Sequence, residues 1–310
     1  DKIRSQFSEL MTQASFPQTS LWYGVNGVGK RQVALGLIAN LFCESNEACK
    51  KCQSCEMVFK GTHPDLFMVY PTPPKSTKIS ESKQEAGHDS TKVASNWTVK
   101  VEQIKQVKEK LKLYPLMASH QVCIIDDAEK MTNTTANSLL KLLEEPRPNH
   151  IFILITSQFA GIIATIRSRS IKYHFSPLQA EQTKELVKQI VAEDELSVEE
   201  PVLDFLVRCF QGSVVNIVKA LRSDFDWQQL FGLFRQKRDF VAINQLVQQW
   251  SRAQMDYSIL LQVLKQVYLD DCKQGLQAEL SFFDKIKQAE LQLRRHIQKD
   301  FVFENLLLGL

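Results

Sequence analysis

No apolar run in this chain approaches the roughly 18 residues that a membrane-spanning helix needs, so a transmembrane protein is not expected. No signal peptide is expected either, because the apolar stretch near the front is too short for one. The chain opens at Asp1 rather than Met, which leaves open whether its natural start lies upstream. Charge of one sign is scarce. A formal net charge of +3 does not announce an electrostatic binder of nucleic acid. There is no internal repeat. Seven cysteines in 310 residues are too few for a secreted disulfide scaffold. Together these absences leave a cytoplasmic globular protein with no membrane partner, long enough for two or three domains.

What is present begins with an alternation of short apolar strands and helices over residues 1–175. Leu21-Trp22-Tyr23 reads as a strand. Val33, Ala34, Leu37, Ile38, Leu41 and Phe42 follow helical spacing. Asp65–Tyr70, Gln121–Ile125 and His150–Ile155 are apolar without alternation, which predicts strands buried on both faces. Ile171–Phe175 is a candidate fifth strand. Strands separated by helices predict a parallel sheet in an α/β fold. Residues 71–96 break the pattern with Pro, Ser, Lys, Thr, Glu and Gly, and are expected to form a mobile insertion. After Pro177 the pattern is helical. A small helical domain is expected at 176–222, with a break at Gly212-Ser213, and a larger one over 223–310.

Gly24-Val25-Asn26-Gly27-Val28-Gly29-Lys30 fits the phosphate-cradling pattern G-x-x-x-x-G-K. It follows a predicted strand and opens a helix, which is the context the motif needs. Gly24, Gly27, Gly29 and Lys30 are therefore candidate phosphate contacts. The next position normally carries a Ser or Thr hydroxyl that ligates Mg²⁺. Here it is Arg31, which has donors only and cannot ligate a cation. That substitution argues against working Mg²⁺–ATP chemistry, and leaves open whether nucleotide still binds at Lys30. A second acidic element ends the strand Val122–Ile125. Asp126 stands where a phosphate site orders Mg²⁺. Asp127 follows, one methylene shorter than the Glu that a hydrolase uses to orient water.

Four of the seven cysteines, Cys43, Cys49, Cys52 and Cys55, form a C-x₅-C-x₂-C-x₂-C cluster. Four thiolates at such spacings close a tetrahedral site, for which zinc fits best and an iron–sulfur cluster is the rival. A closed four-ligand site has no open position, so its role is structural. Cys123, Cys209 and Cys272 lie in apolar contexts and are expected in cores. Thr132–Glu145 reads as a helix stopped by Pro146, with Leu139, Leu140, Leu142 and Leu143 on its apolar face. Glu144 and Glu145 end it against the macrodipole, so they face a partner, a basic neighbour or screening solvent. Thr156-Ser157-Gln158 follows a buried strand, at the strand end where α/β proteins bind ligands. Thr165–Ser170 holds two arginines, Arg167 and Arg169.

These motifs, in this order, resemble the delta-prime subunits of the bacterial DNA polymerase III clamp loader, of the AAA+ class. The resemblance rests on YGVNGVGK, the four cysteines, GTHPDLF at Gly61–Phe67, IIDDAEKM, and NSLLKLLEEP at Asn137–Pro146. IRSRS at Ile166–Ser170 corresponds to the family's Ser-Arg-Cys motif, and Gly212-Ser213 to its lid motif. The likeness is specific over 21–177, fair to 222 and weaker beyond, where Phe301–Leu310 is similar to the family's closing helix. It implies an AAA+ module with a zinc-binding insertion, a helical lid, and a helical collar that holds a heteropentameric ring with motor (gamma/tau) and delta subunits. It further implies ATP-driven loading of the sliding clamp on primed DNA. In that setting Arg169 acts in trans as an arginine finger on a neighbour's nucleotide.

Three departures set the chain apart from a motor subunit. Arg31 replaces the metal-binding hydroxyl, Asp127 the catalytic acid, and Val215 the arginine that senses nucleotide in the lid. The reading is a stator that contributes structure and Arg169 but no ATP hydrolysis of its own. An active AAA+ ATPase is the first rival and an autonomous DNA-binding module the second.

Overall fold

The computed structural model describes residues 16–73, 97–145, 147–194 and 198–223, then 225, 227, 259, 261–266, 269, 281–294 and 302. Most of the expected 71–96 insertion, Pro146, Cys272 and all of Phe301–Leu310 except Val302 lie outside the described residues. The chain forms two compact units, Asp1–Ser176 and Pro177–Leu310.

The first unit is the expected α/β domain, a parallel five-stranded sheet with flanking helices. Its strands are β1 (Thr19–Gly24), β2 (Leu66–Val69), β3 (Gln121–Ile125), β4 (His150–Thr156) and β5 (Ile171–Phe175). All pairings are parallel, in the order β2-β3-β4-β1-β5. β3 and β4 are buried at every residue, as apolar strands without alternation require. Alternate residues serve two cores. Val122, Ile124, Ile151, Ile153 and Ile155 pack on one face with α1 (Lys30–Phe42) and α2 (Gln53–Phe59). Cys123, Ile125, Phe152 and Leu154 pack on the other with α3 (Val101–Lys110) and α4 (Asn133–Glu144). The exposed residues of β5 mark it as a sheet edge. In α1 the spacing erred at one position: Val33 is 37% exposed, while Leu35 and Ala39 are buried.

The Asp65 carboxylate ties down the segment between α3 and β3, whose Lys112 carbonyl also accepts from Arg147 at 3.1 Å. Asp65 is fully buried, and its carboxylate accepts the backbone N–H groups of Leu116, Met117 and Ala118 at 2.7, 2.8 and 2.9 Å. The same clamp exposes Leu113, Tyr114, Leu116 and Met117 by half or more of their surface. Asp65→Asn turns one acceptor oxygen into a donor facing these N–H groups. Charge-assisted bonds of this kind are worth about 1.5–3 kcal/mol each, so a loss of about 3 kcal/mol is expected. Thermal unfolding of the whole chain checks it, and an unchanged midpoint would show that the clamp is dispensable.

A short helix, α5 (Ala164–Ser168), precedes β5 in the first unit. Among the described residues the second unit holds helices only, including α6 (Ala180–Glu193), α7 (Glu200–Phe210), α8 (Val214–Leu221) and α9 (Ser281–Arg294). Their buried side chains, from Val187 through Phe210 and Ile217 to Ile286 and Val302, belong to one core. Cys209 lies in it and Cys123 in the sheet, as expected of core cysteines.

Candidate functional site

In a parallel sheet, chain direction collects every strand's carboxyl end at one edge. β4 lies between β1 and β3, so the glycine-rich loop Gly24–Gly29 after β1, the candidate phosphate loop, comes together with Asp126 after β3 and Thr156 at the end of β4. Gly24 ends β1 opposite Phe175 of β5, where a Cβ would lie 2.1 Å from the Phe175 carbonyl oxygen. Close strand packing therefore demands this glycine independently of any phosphate. Gly29 caps α1 in the left-handed region at φ 87° and no side chain caps that helix end.

Lys30 is buried and its ammonium donates to the carbonyls of Gly24 at 2.8 Å and Val25 at 2.9 Å. An ammonium has three donors, so the two bonds shape the loop and leave one N–H. Burial pulls the Lys30 ammonium below its usual range, while Asp126, Glu129 and Asp127 push it back. Arg31 is turned inward. Its guanidinium lies 3.7 Å from the Asp126 carboxylate and 5.5 Å from the centre of the Tyr70 ring. Burial pushes the Asp126 carboxyl up, and Arg31 opposes that shift. The acid that would order a metal thus has a resident cation beside it. Asp127 adopts the left-handed conformation at φ 47°, and burial, then Asp126 and Glu129, raise its pKa to about 6.

Glu129, in the IIDDAEKM stretch, joins two of these strand ends. Its carboxylate accepts the Thr156 hydroxyl at 2.7 Å, the Ser157 hydroxyl at 2.5 Å and the Ser157 N–H at 3.2 Å. The polar end of β4 is thereby tied to the turn after β3. Only a polar run at a strand end hinted at this in sequence.

Arg169 is not part of that edge. It directly precedes Ser170 and β5, so it sits at the amino end of the sheet, while the phosphate loop sits at the carboxyl end. The length of β5 separates them, roughly 16 Å at ~3.3 Å per residue. Arg169 is the C-cap of α5, with its N–H on the Ile166 carbonyl at 3.2 Å. Its side chain reaches Glu144 at 3.0 Å, which supplies the basic neighbour expected for that acid. Arg167 instead stacks over Phe159, 5.2 Å from the ring centre. The buried Ser170 hydroxyl donates to the Ile166 carbonyl at 2.8 Å.

The four cysteines converge. Cys43 is the C-cap of α1, Cys52 the N-cap of α2, and Cys55 lies in the first turn of α2. All four Sγ atoms lie within 4.8 Å of one another, with Cys43–Cys52 at 3.9 Å and Cys49–Cys55 at 4.0 Å. A tetrahedral ion with ~2.3 Å bonds to sulfur spaces its ligands by about 3.8 Å, so the group could hold one metal ion. Backbone N–H groups draw the Cys43 thiol down to about 5, with the Ser45 hydroxyl adding to the effect, and also lower Cys49. Burial pushes Cys55 up to about 12, a penalty that a bound cation removes.

A family model described as DNA polymerase III, delta subunit, matches residues 1–179, more than half of the chain. The chain belongs to this family. Within the DNA polymerase III family, subunit delta' of Bacillus subtilis is 30% identical over 207 residues, covering 66% of this chain and 54% of that protein. Subunit delta' of Pseudomonas aeruginosa is 29% identical over 169 residues, 54% of this chain and 45% of its own length. Subunit tau of Bacillus subtilis is 25% identical over 224 residues, 71% and 36%. The chain spans about half the length of the curated delta' relatives that it matches.

Proposed function

We propose that this member of the DNA polymerase III family is a clamp-loader subunit that acts as a stator. It takes its place in a ring with motor (gamma/tau) and delta subunits, and Arg169 serves a neighbour's ATP during loading of the sliding clamp on primed DNA. The observation that carries this reading is position. Arg169 lies at the end of the sheet opposite the chain's own phosphate loop, so a nucleotide it touches is held by another chain. The Arg31–Asp126 pair supports the other half of the reading, because a fixed guanidinium stands where Mg²⁺ would be ordered. The four cysteines hold a structural zinc in this reading. The second unit divides into a lid over 176–222 and a collar over 223–310, of which the collar holds the ring.

Two measurements test it. The isolated chain is expected to hydrolyse ATP with Mg²⁺ no faster than buffer. Mixed with the motor and delta subunits, it is expected to co-elute with them as one complex. Turnover by the isolated chain would favour an ATPase, and failure to co-elute would remove the clamp-loader assignment.

A further inference from the structure

Glu144 is placed where local helix stability gives it no reason to be. It ends α4, and a carboxylate there opposes the macrodipole. Its Oε1 lies 3.0 Å from Arg169 Nη2. On the other side, Arg169 Nη1 donates to the Thr165 carbonyl of α5 at 3.2 Å. The guanidinium is therefore strapped between the ends of two helices. The backbone beneath is fixed as well, by Arg169 N–H and the Ser170 hydroxyl, both on the Ile166 carbonyl. Two of the five guanidinium N–H donors are engaged by this frame, which leaves three for an anion. Both side chains are open to water, at 40% and 46% exposure, so the pair contributes little to stability. What the acid supplies is orientation. An arginine that has already lost its rotamer freedom loses less on meeting a phosphate.

We propose that Glu144 is a positioning residue for Arg169, strapping its guanidinium across the junction of α4 and α5 so that the three remaining donors meet a neighbouring subunit's nucleotide in fixed geometry. This inference rests on the arginine-finger reading above. The test uses the assembled loader with Glu144→Gln, Arg169→Ala and both together, following ATP turnover and ring assembly. Glu144→Gln is expected to lower kcat on the order of ten-fold, as misplacement of a catalytic group does, with KM for ATP and assembly unchanged. In the Arg169→Ala background the same substitution is expected to change nothing further. Restoring the charge on a shorter stem, with Glu144→Asp, is expected to recover part of the loss. Glu144→Gln with wild-type or faster turnover, or a full ten-fold effect persisting without Arg169, overturns the positioning role. If Arg169→Ala itself leaves turnover unchanged, the finger reading falls and the positioning role with it.

Discussion

Under the proposed function, Arg169→Ala is expected to slow ATP turnover at a neighbouring motor's site by about 10³-fold or more while the ring still assembles. An arginine supplied to a phosphoryl-transfer site is worth about 10³–10⁵ in rate, because its guanidinium meets charge that develops only in the transition state. Ten-fold corresponds to about 1.4 kcal/mol, so the lower bound is about 4 kcal/mol of barrier. The substitution spares the fold. The Arg169 side chain is 40% exposed, and its backbone is anchored through Ile166 and Ser170 rather than through the guanidinium. Arg169→Lys is expected to remain slow, since an ammonium is a point charge without the planar fork. Single-turnover kinetics, which resolve the fraction of sites that go silent, is the measurement. Identical single-turnover traces for wild type and Arg169→Ala rings would sink the finger.

Stripping the metal from the four cysteines is expected to unfold the 43–55 segment. Structural zinc sites contribute about 10–16 kcal/mol of apparent binding free energy near neutral pH, and that energy is folding energy for the segment they close. The local backbone shows what the ion has to hold. Asn46, Ala48 and Lys50 all adopt positive φ, at 55°, 47° and 59°, without being glycine. Such residues persist only where their surroundings over-determine them. Without an ion, the loop keeps the Asn46 N–H on the Cys43 carbonyl at 3.1 Å and weak sulfur contacts such as Cys52 N–H to Cys49 Sγ at 3.3 Å and Cys55 N–H to Cys52 Sγ at 3.4 Å. Purified protein is expected to carry one zinc per chain, and Cys49→Ser to lose it together with protease resistance between α1 and α2. Metal analysis giving less than about half an equivalent would remove the zinc site. A resistant segment after chelation would remove its structural role.

Much of this was legible in the residues, and the limits have physical causes. Buried strands announce themselves, because Val122–Ile125 and Ile151–Ile155 meet a core on both faces and are apolar at every step. The cysteine cluster was legible for the same reason: ligand chemistry restricts both residue type and spacing. The exposure of Val33 was not legible, because helical periodicity names a stripe but cannot say how far around the helix the buried face extends. The Glu144–Arg169 pair joins positions 25 residues apart in sequence, and only its unfavourable end, an acid at a helix C-terminus, left a trace. Asp65 was read as the start of a strand. Nothing in its neighbours told that its carboxylate would collect three N–H groups from residues 116–118, because those groups become partners only after β2 and β3 have paired.

The bonds of Glu129 have a mechanical consequence. To move the end of β4 away from the turn after β3, three bonds to one carboxylate must break together. At about 1.5 kcal/mol each, the low end for a charged acceptor, the separated form is populated about once in 10³ molecules. That junction is a hinge with its pin driven home. Across most of the molecule's thermal excursions these two strand ends travel as one solid piece, and whatever pushes on one of them arrives undiminished at the other.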